Sequence, residues 1–216
     1  MYGLEENIGY SFKNKALILR AITHSSIKSS NNKFDQMEFL GDRVLNLIIA
    51  SMVSRKYAGL KTGELSNIFS VLVSYKTCCL VAIDINLPRY IRTSLKHLKT
   101  NESVLADAME AIVAAIFLDS NYDTSYNVVS MLWGKYINSI NVDCINPKGR
   151  LQEITQAINN SLPAYETISI DGPSHMQEFS VRVTALGKEA VGFGESKKIA
   201  EISAASKMIE ILQWNE

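Results

Sequence analysis

The chain of 216 residues predicts a multidomain protein: an all-α domain over residues 1–140, then a smaller α+β domain of order α-β-β-β-α over 146–216. Three observations predict it. Apolar residues recur at helical spacing through most of the first 140 positions. Period-two alternation appears only beyond them, at 167–170, 179–185 and 191–193. Between the two textures lies a short polar stretch, 138–146, ending in Asn146-Pro147.

Taken in order, apolar residues first recur at helical spacing in Leu17 and Leu19–Ala21. A second such stretch runs through EFLGDRVLNLIIASMVSRKY (38–57) and a third through 104–118. Weaker helical patterns cover 64–82 and 124–140, and the basic stretch 89–99 reads as a loop. Asn146 followed by Pro147 is a helix start, because Asn caps orphan amides and Pro suits the first helical position. Leu151, Ile154 and Ile158 then fall on one face. Strands follow at Ile168 and Ile170, at Phe179, Val181, Val183 and Ala185, and at 191–193. A last helix from about Lys197 carries Ala200, Ala204, Met208, Ile211 and Leu212 on one side. No repeat of solenoid period is present.

Composition narrows the function. Hydrophobic residues make up 47% and charged residues 20%, with only 4 Pro, which supports a packed core and argues against disorder. Lys+Arg and Asp+Glu are 22 each. Residues 1–145 hold 15 basic and 13 acidic residues, and 146–216 hold 7 and 9. Any nucleic-acid contact must therefore come from local clusters rather than bulk charge. Cys78, Cys79 and Cys144 are odd in number and form no CxxC pair, which argues against a disulfide framework or zinc site and fits a reducing compartment. The opening MYGLEENIGY lacks a basic-then-apolar leader pattern, and no apolar run reaches the roughly 18 residues of a membrane span. A cytoplasmic protein with no membrane partner is expected.

The residues able to carry chemistry are acids on apolar helices. Thirteen of the fifteen residues at 104–118 are apolar; the exceptions are Asp107 and Glu110, three apart on one face. Buried carboxylates need a cation. Either an arginine such as Arg43 or Arg55 supplies it, or a metal does. Asp35, Glu38 and Asp42 share a face of the preceding helix. Read alone they are either a solvated face or a second set of ligands. Together, two such helices could build an all-oxygen site for Mg²⁺ or Mn²⁺, the usual setting of metal-assisted phosphoryl transfer. A di-iron bundle needs Glu-x-x-His pairs, which His24, His97 and His175 do not form.

EFLGDRVL (38–45) and LADAMEAIVAAIFLDS (105–120), with ITHSS (22–26) and GELS (63–66) in the same order, resemble the ribonuclease III family. The second half resembles the double-stranded-RNA-binding domain that follows the nuclease in bacterial members. The resemblance implies a metal-dependent endoribonuclease that cuts duplex RNA to staggered 5′-phosphate and 3′-hydroxyl ends, in processing ribosomal and messenger RNA precursors. It implies Glu38, Asp42, Asp107 and Glu110 as the metal site, with Asp42 and Glu110 catalytic, Mg²⁺ as cofactor with Mn²⁺ able to substitute, and a homodimer. Asp35 stands where the family usually carries Glu. Thr62 replaces a second Glu, leaving Glu64 as the candidate accessory acid. His24 is expected to bond structurally. The alternative is a non-catalytic duplex-RNA binder on the same scaffold.

In the second half, Lys197 and Lys198 open a helix whose dipole disfavours cations there, an arrangement a phosphate resolves. Gln152, Glu153 and Gln156 offer donors and acceptors suited to 2′-hydroxyls in a shallow minor groove. Read without the family, the 172–175 loop is only a turn; the resemblance places it, with Pro173 and His175, in a neighbouring groove. Lys148 and Arg150 are expected on the same face as Lys197 and Lys198.

Overall fold

The computed structural model describes residues 2–27, 33–142, 145–173 and 177–213. Its internal contacts divide the chain into two compact units, Met1–Ile140 and Asn141–Glu216.

The first unit holds α1 (Tyr2–Ile8), α2 (Lys15–Ala21), α3 (Phe34–Lys56), α4 (Thr62–Leu72), α5 (Tyr75–Asp84), α6 (Glu102–Asp119) and α7 (Tyr122–Asn138). Helix starts are set by short polar side chains that accept the first free amides. Asn101 accepts from Val104 at 3.1 Å, and Asn121 accepts from Thr124 at 2.9 Å. Helix α6, apolar almost all round, is the central element and packs against α2, α3 and α5. The weak pattern at 64–82 is two helices, because Ser74 leaves helical geometry and caps α5 through Thr77 N at 3.3 Å. Helix α1 is too short to show its periodicity in sequence. The 89–99 stretch is no plain loop: it touches 3₁₀ turns at Leu87–Arg89 and Lys96–Thr100, and Arg92 bridges Thr23.

Two polar fasteners close this unit. Asp119, the last residue of α6, accepts hydrogen bonds from Tyr10 Oη (2.9 Å), Lys13 N (2.7 Å) and Asn14 N (2.8 Å). The fully buried Trp133 of α7 donates Nε1–H to the Leu72 carbonyl at 3.0 Å, tying α7 to the end of α4. No single helix among the described residues is long and apolar enough to cross a membrane.

The second unit holds α8 (Pro147–Asn159), β1 (Ala164–Asp171), β2 (Glu178–Ala185), β3 (Lys188–Gly194) and α9 (Lys197–Gln213). The strands form one antiparallel sheet in the order β1-β2-β3. Leu151, Val183, Ala190, Ala204 and Met208 are at the centre of its core. Small residues let α9 settle on β3: a Cβ on Gly192 would stand 2.1 Å from Ala204 N. Three details differ from the sequence pattern. Thr155 takes the buried place beside Leu151, its hydroxyl donating to Gln152 O at 3.0 Å, while Ile158 is 64% exposed on the last turn of α8. Ile209 replaces Ile211 on the buried side of α9. In β1 the alternation runs in the opposite phase, with Tyr165, Thr167 and Ser169 partly buried and Ile168 and Ile170 exposed; the strand's pairing shifts register between Thr167 and Ser169.

Candidate active site and nucleic-acid interface

Helices α3 and α6 bring four of the predicted acids face to face, and Gly41 makes this possible. A Cβ there would lie 1.8 Å from the Glu110 carbonyl oxygen, so the helix backbones touch between Asp42 and Glu110. Electrostatics records the convergence. Glu110 is pushed up to about 8, first by burial and then by the charges of Asp42, Asp107 and Glu38. Burial also raises Glu38, with Asp107, Asp35 and Asp42 adding to it. Asp107 is raised by burial, against which His24 and a hydrogen bond from Ser103 act. Asp35 is exposed and acts on Glu38 and Asp107 from the rim.

Neither arginine neutralises the α6 pair by direct contact. Arg43 Nη1 meets Asp42 Oδ2 at 3.0 Å and stacks over Phe39, while Arg55 lies over the Tyr126 ring. A carboxyl raised this far by burial and by like charges is what a divalent cation relieves, and an all-oxygen donor set suits a hard ion. Among the described residues no three His, Cys, Asp or Glu side chains already close around one ion.

Other predicted residues fall elsewhere. Glu64 is engaged as a cap of its own helix, accepting from Lys61 N at 3.0 Å. Thr62 lines a mainly apolar groove with Ala50, Val53, Leu65 and Phe69, without a carboxylate. His24 accepts from Ser26 N through Nδ1 at 3.1 Å and packs edge-on against Phe34, the first residue of α3. Two neighbours of the acids were missed in the sequence. Asn46 donates Nδ2–H to Asp42 Oδ1 at 2.9 Å. The Cys78 thiol, raised to about 12 by burial and by Glu110 and Asp42, stays neutral near them. The i, i+4 spacing from Asp42 was the available signal for Asn46.

In the second unit Lys197 and Lys198 are exposed on the first turn of α9, and neither pairs with a carboxylate among the described residues. Ser196 caps that turn, accepting from Ile199 N at 3.3 Å. Gln152 and Gln156 are exposed one turn apart on α8, and Glu153 is half-buried beside Arg150 Nη1 at 3.7 Å. Lys148 reaches α9 one turn after Lys197, but its charge is already partnered. Its ammonium pairs with Glu201 at 2.6 Å and sits over the Tyr165 ring, so it is engaged internally. Pro173 is exposed, and His175 lies outside the described residues.

A family model described as ribonuclease-III-like matches residues 14–135, and one for the double-stranded RNA binding motif matches 147–212. Proteins named Ribonuclease 3 from Rickettsia akari and Rickettsia felis are each 36% identical over 97% of this chain, covering 96% and 97% of their own lengths. A crystal structure of the ribonuclease III nuclease domain from Campylobacter jejuni is 34% identical. It covers 65% of this chain and 98% of its own, with a TM-score of 0.61. A second structure of that domain, described for flexibility in its dimer-forming region, is 35% identical over 62% of this chain and 95% of its own, with a TM-score of 0.59. With both halves matched in order, the chain belongs to the ribonuclease III family of endoribonucleases that act on double-stranded RNA.

Proposed function

We propose that residues 1–140 form the catalytic domain, 146–216 the RNA-binding domain, and that Glu38, Asp42, Asp107 and Glu110 hold Mg²⁺, with Mn²⁺ able to replace it. The observation that carries this reading is Glu110, a carboxyl held near 8 by burial and three neighbouring acids. When bound, the cation supplies hydroxide and offsets charge on the departing oxygen. The protein's own part is to hold the ion: Asp42 and Glu110 come from two helices whose backbones meet at Gly41. Asp35 stays at the rim, and Glu64, engaged as a cap, has no assigned role. The products are staggered ends bearing 5′-phosphate and 3′-hydroxyl groups, and the substrates are structured precursors of ribosomal and messenger RNA in the cytoplasm.

A homodimer is part of this reading. Phe39 and Leu47, two turns apart on α3, are 65% and 57% exposed, an apolar stripe suited to a twofold copy. The Campylobacter nuclease domain is described with a dimer-forming region. The direct test is cleavage of a long duplex RNA. Staggered products in Mg²⁺ or Mn²⁺ and none in EDTA are expected; metal-independent cutting, or no cutting with either ion, would sink the assignment.

Duplex binding is assigned to Lys197 and Lys198 on phosphates and to Gln152, Glu153, Gln156, Pro173 and His175 in the grooves. Changing either lysine to Ala should weaken all duplexes about equally. It should lower the slope of log K against log salt by roughly one unit per lost contact. Gln152→Ala should leave the slope almost unchanged, because it touches no phosphate. Salt titrations with Ca²⁺ in place of Mg²⁺ read both effects, and equal slopes in all three variants would remove the phosphate contacts.

A further inference from the structure

We infer that Asn46 is a positioning residue of the acid site, orienting Asp42 through its amide donor and presenting its carbonyl oxygen to a water of the bound cation. The inference rests on the metal-dependent reading above. Asn46 lies one turn beyond Asp42 on α3, and its Nδ2 donates to Asp42 Oδ1 at 2.9 Å. The other carboxylate oxygen meets Arg43 Nη1 at 3.0 Å. The two grips differ in kind. The Arg43 side chain is 64% exposed, and an exposed ion pair of this sort is weak and easily rearranged. The Asn46 amide reaches inward.

Its Oδ1 is buried and has no hydrogen-bond partner among the described residues. Folded proteins rarely leave a buried amide oxygen unsatisfied unless water or a ligand completes it. Ser130 Oγ and Tyr165 Oη share this condition, but Asn46 is the one bonded to a member of the acid site. Ionised carboxylates cannot satisfy it, since they only accept. A water polarised by a divalent cation donates strongly, and Mg²⁺ keeps several of its waters when carboxylates hold it. One planar amide would thus fix a ligand with its nitrogen and a bound water with its oxygen. If Asn46 only filled space, leucine of similar size would serve better, because it leaves no orphaned oxygen.

The test uses the full chain and Mn²⁺ alone, with free Mn²⁺ read by electron paramagnetic resonance in the absence of RNA. Asn46→Leu and Asn46→Ala should each weaken Mn²⁺ binding by about tenfold or more, the scale of losing an outer-shell partner. The Mg²⁺ needed for half-maximal cleavage should rise by a similar factor, while duplex affinity in Ca²⁺ stays the same. In EDTA the leucine variant should melt no lower than the wild type. Wild-type binding of Mn²⁺ with undiminished binding in both variants would overturn the role of Asn46 alone. A wild-type chain that binds no Mn²⁺ would overturn the metal reading and this inference together.

Discussion

Glu110→Gln should lower duplex-RNA cleavage by at least about 10²-fold, the scale of removing one preorganised electrostatic group. Glutamine keeps the shape and removes the charge, so duplex affinity measured in Ca²⁺ should hold. A variant that cuts at the wild-type rate would remove Glu110 from the site. The same substitution has a second readout in stability. The folded carboxyl titrates near 8 against an ordinary value of 4.5, so the folded state keeps a proton that the unfolded chain gives up. Below about 4.5 both states are protonated and the group costs nothing. Between 4.5 and 8 stability falls as pH rises, because ionisation is resisted only in the fold. In EDTA the glutamine variant should therefore out-melt the wild type at pH 8 and match it at pH 4. Added Mg²⁺ should raise the wild-type melting temperature more than that of the variant.

Gly41→Ala should damage both the stability of the helical unit and its acid site. Its new Cβ would stand 1.8 Å from the Glu110 carbonyl oxygen and 2.4 Å from the carbonyl carbon. The obstacle is backbone, which no side-chain rotation relieves, so α3 and α6 must separate. Overpacking against side chains costs about 1–3 kcal/mol, and a backbone clash belongs at or above the top of that range. The same separation spreads Asp42 from Glu110, so melting temperature and metal-dependent cleavage should fall together. Gly63→Ala is the matched control. It lies in α4 with nothing within 4 Å of its Cβ, and alanine favours the helix by about 1 kcal/mol. Loss of stability in the Gly63 variant equal to that in the Gly41 variant would refute the close-approach argument.

The acids were readable because two periodicities met: carboxylates at helical spacing interrupt runs that are otherwise apolar, and such interruptions demand a reason. The succession of three strands and a last helix was readable from a different signal, period-two alternation giving way to a helical face. Contacts between distant positions were not. Lys148 looks like a free surface cation until Glu201, 53 residues on, is folded against it. Glu64 looks like a spare ligand until its carboxylate is seen closing its own helix. Asn46 looks like a solvated helix residue, because only packing decides that its carbonyl oxygen is shut away from water. Ile158 carries the right period for burial, yet a helix can outrun the surface it packs on.

The fastening of residues 10–14 by Asp119 sets an order of events during synthesis. Its three bonds span 105, 106 and 109 positions, so Tyr10, Lys13 and Asn14 lack this acceptor until the last residue of α6 has been made. Helix α3 faces the same wait, since its partner α6 is translated some sixty residues later. At roughly 5–20 residues per second this is an interval of seconds, during which an apolar α3 has left the ribosome without the surface that buries it. The nascent chain is then most exposed to chaperones and proteases in its first half, until α6 and then α7 cover α3.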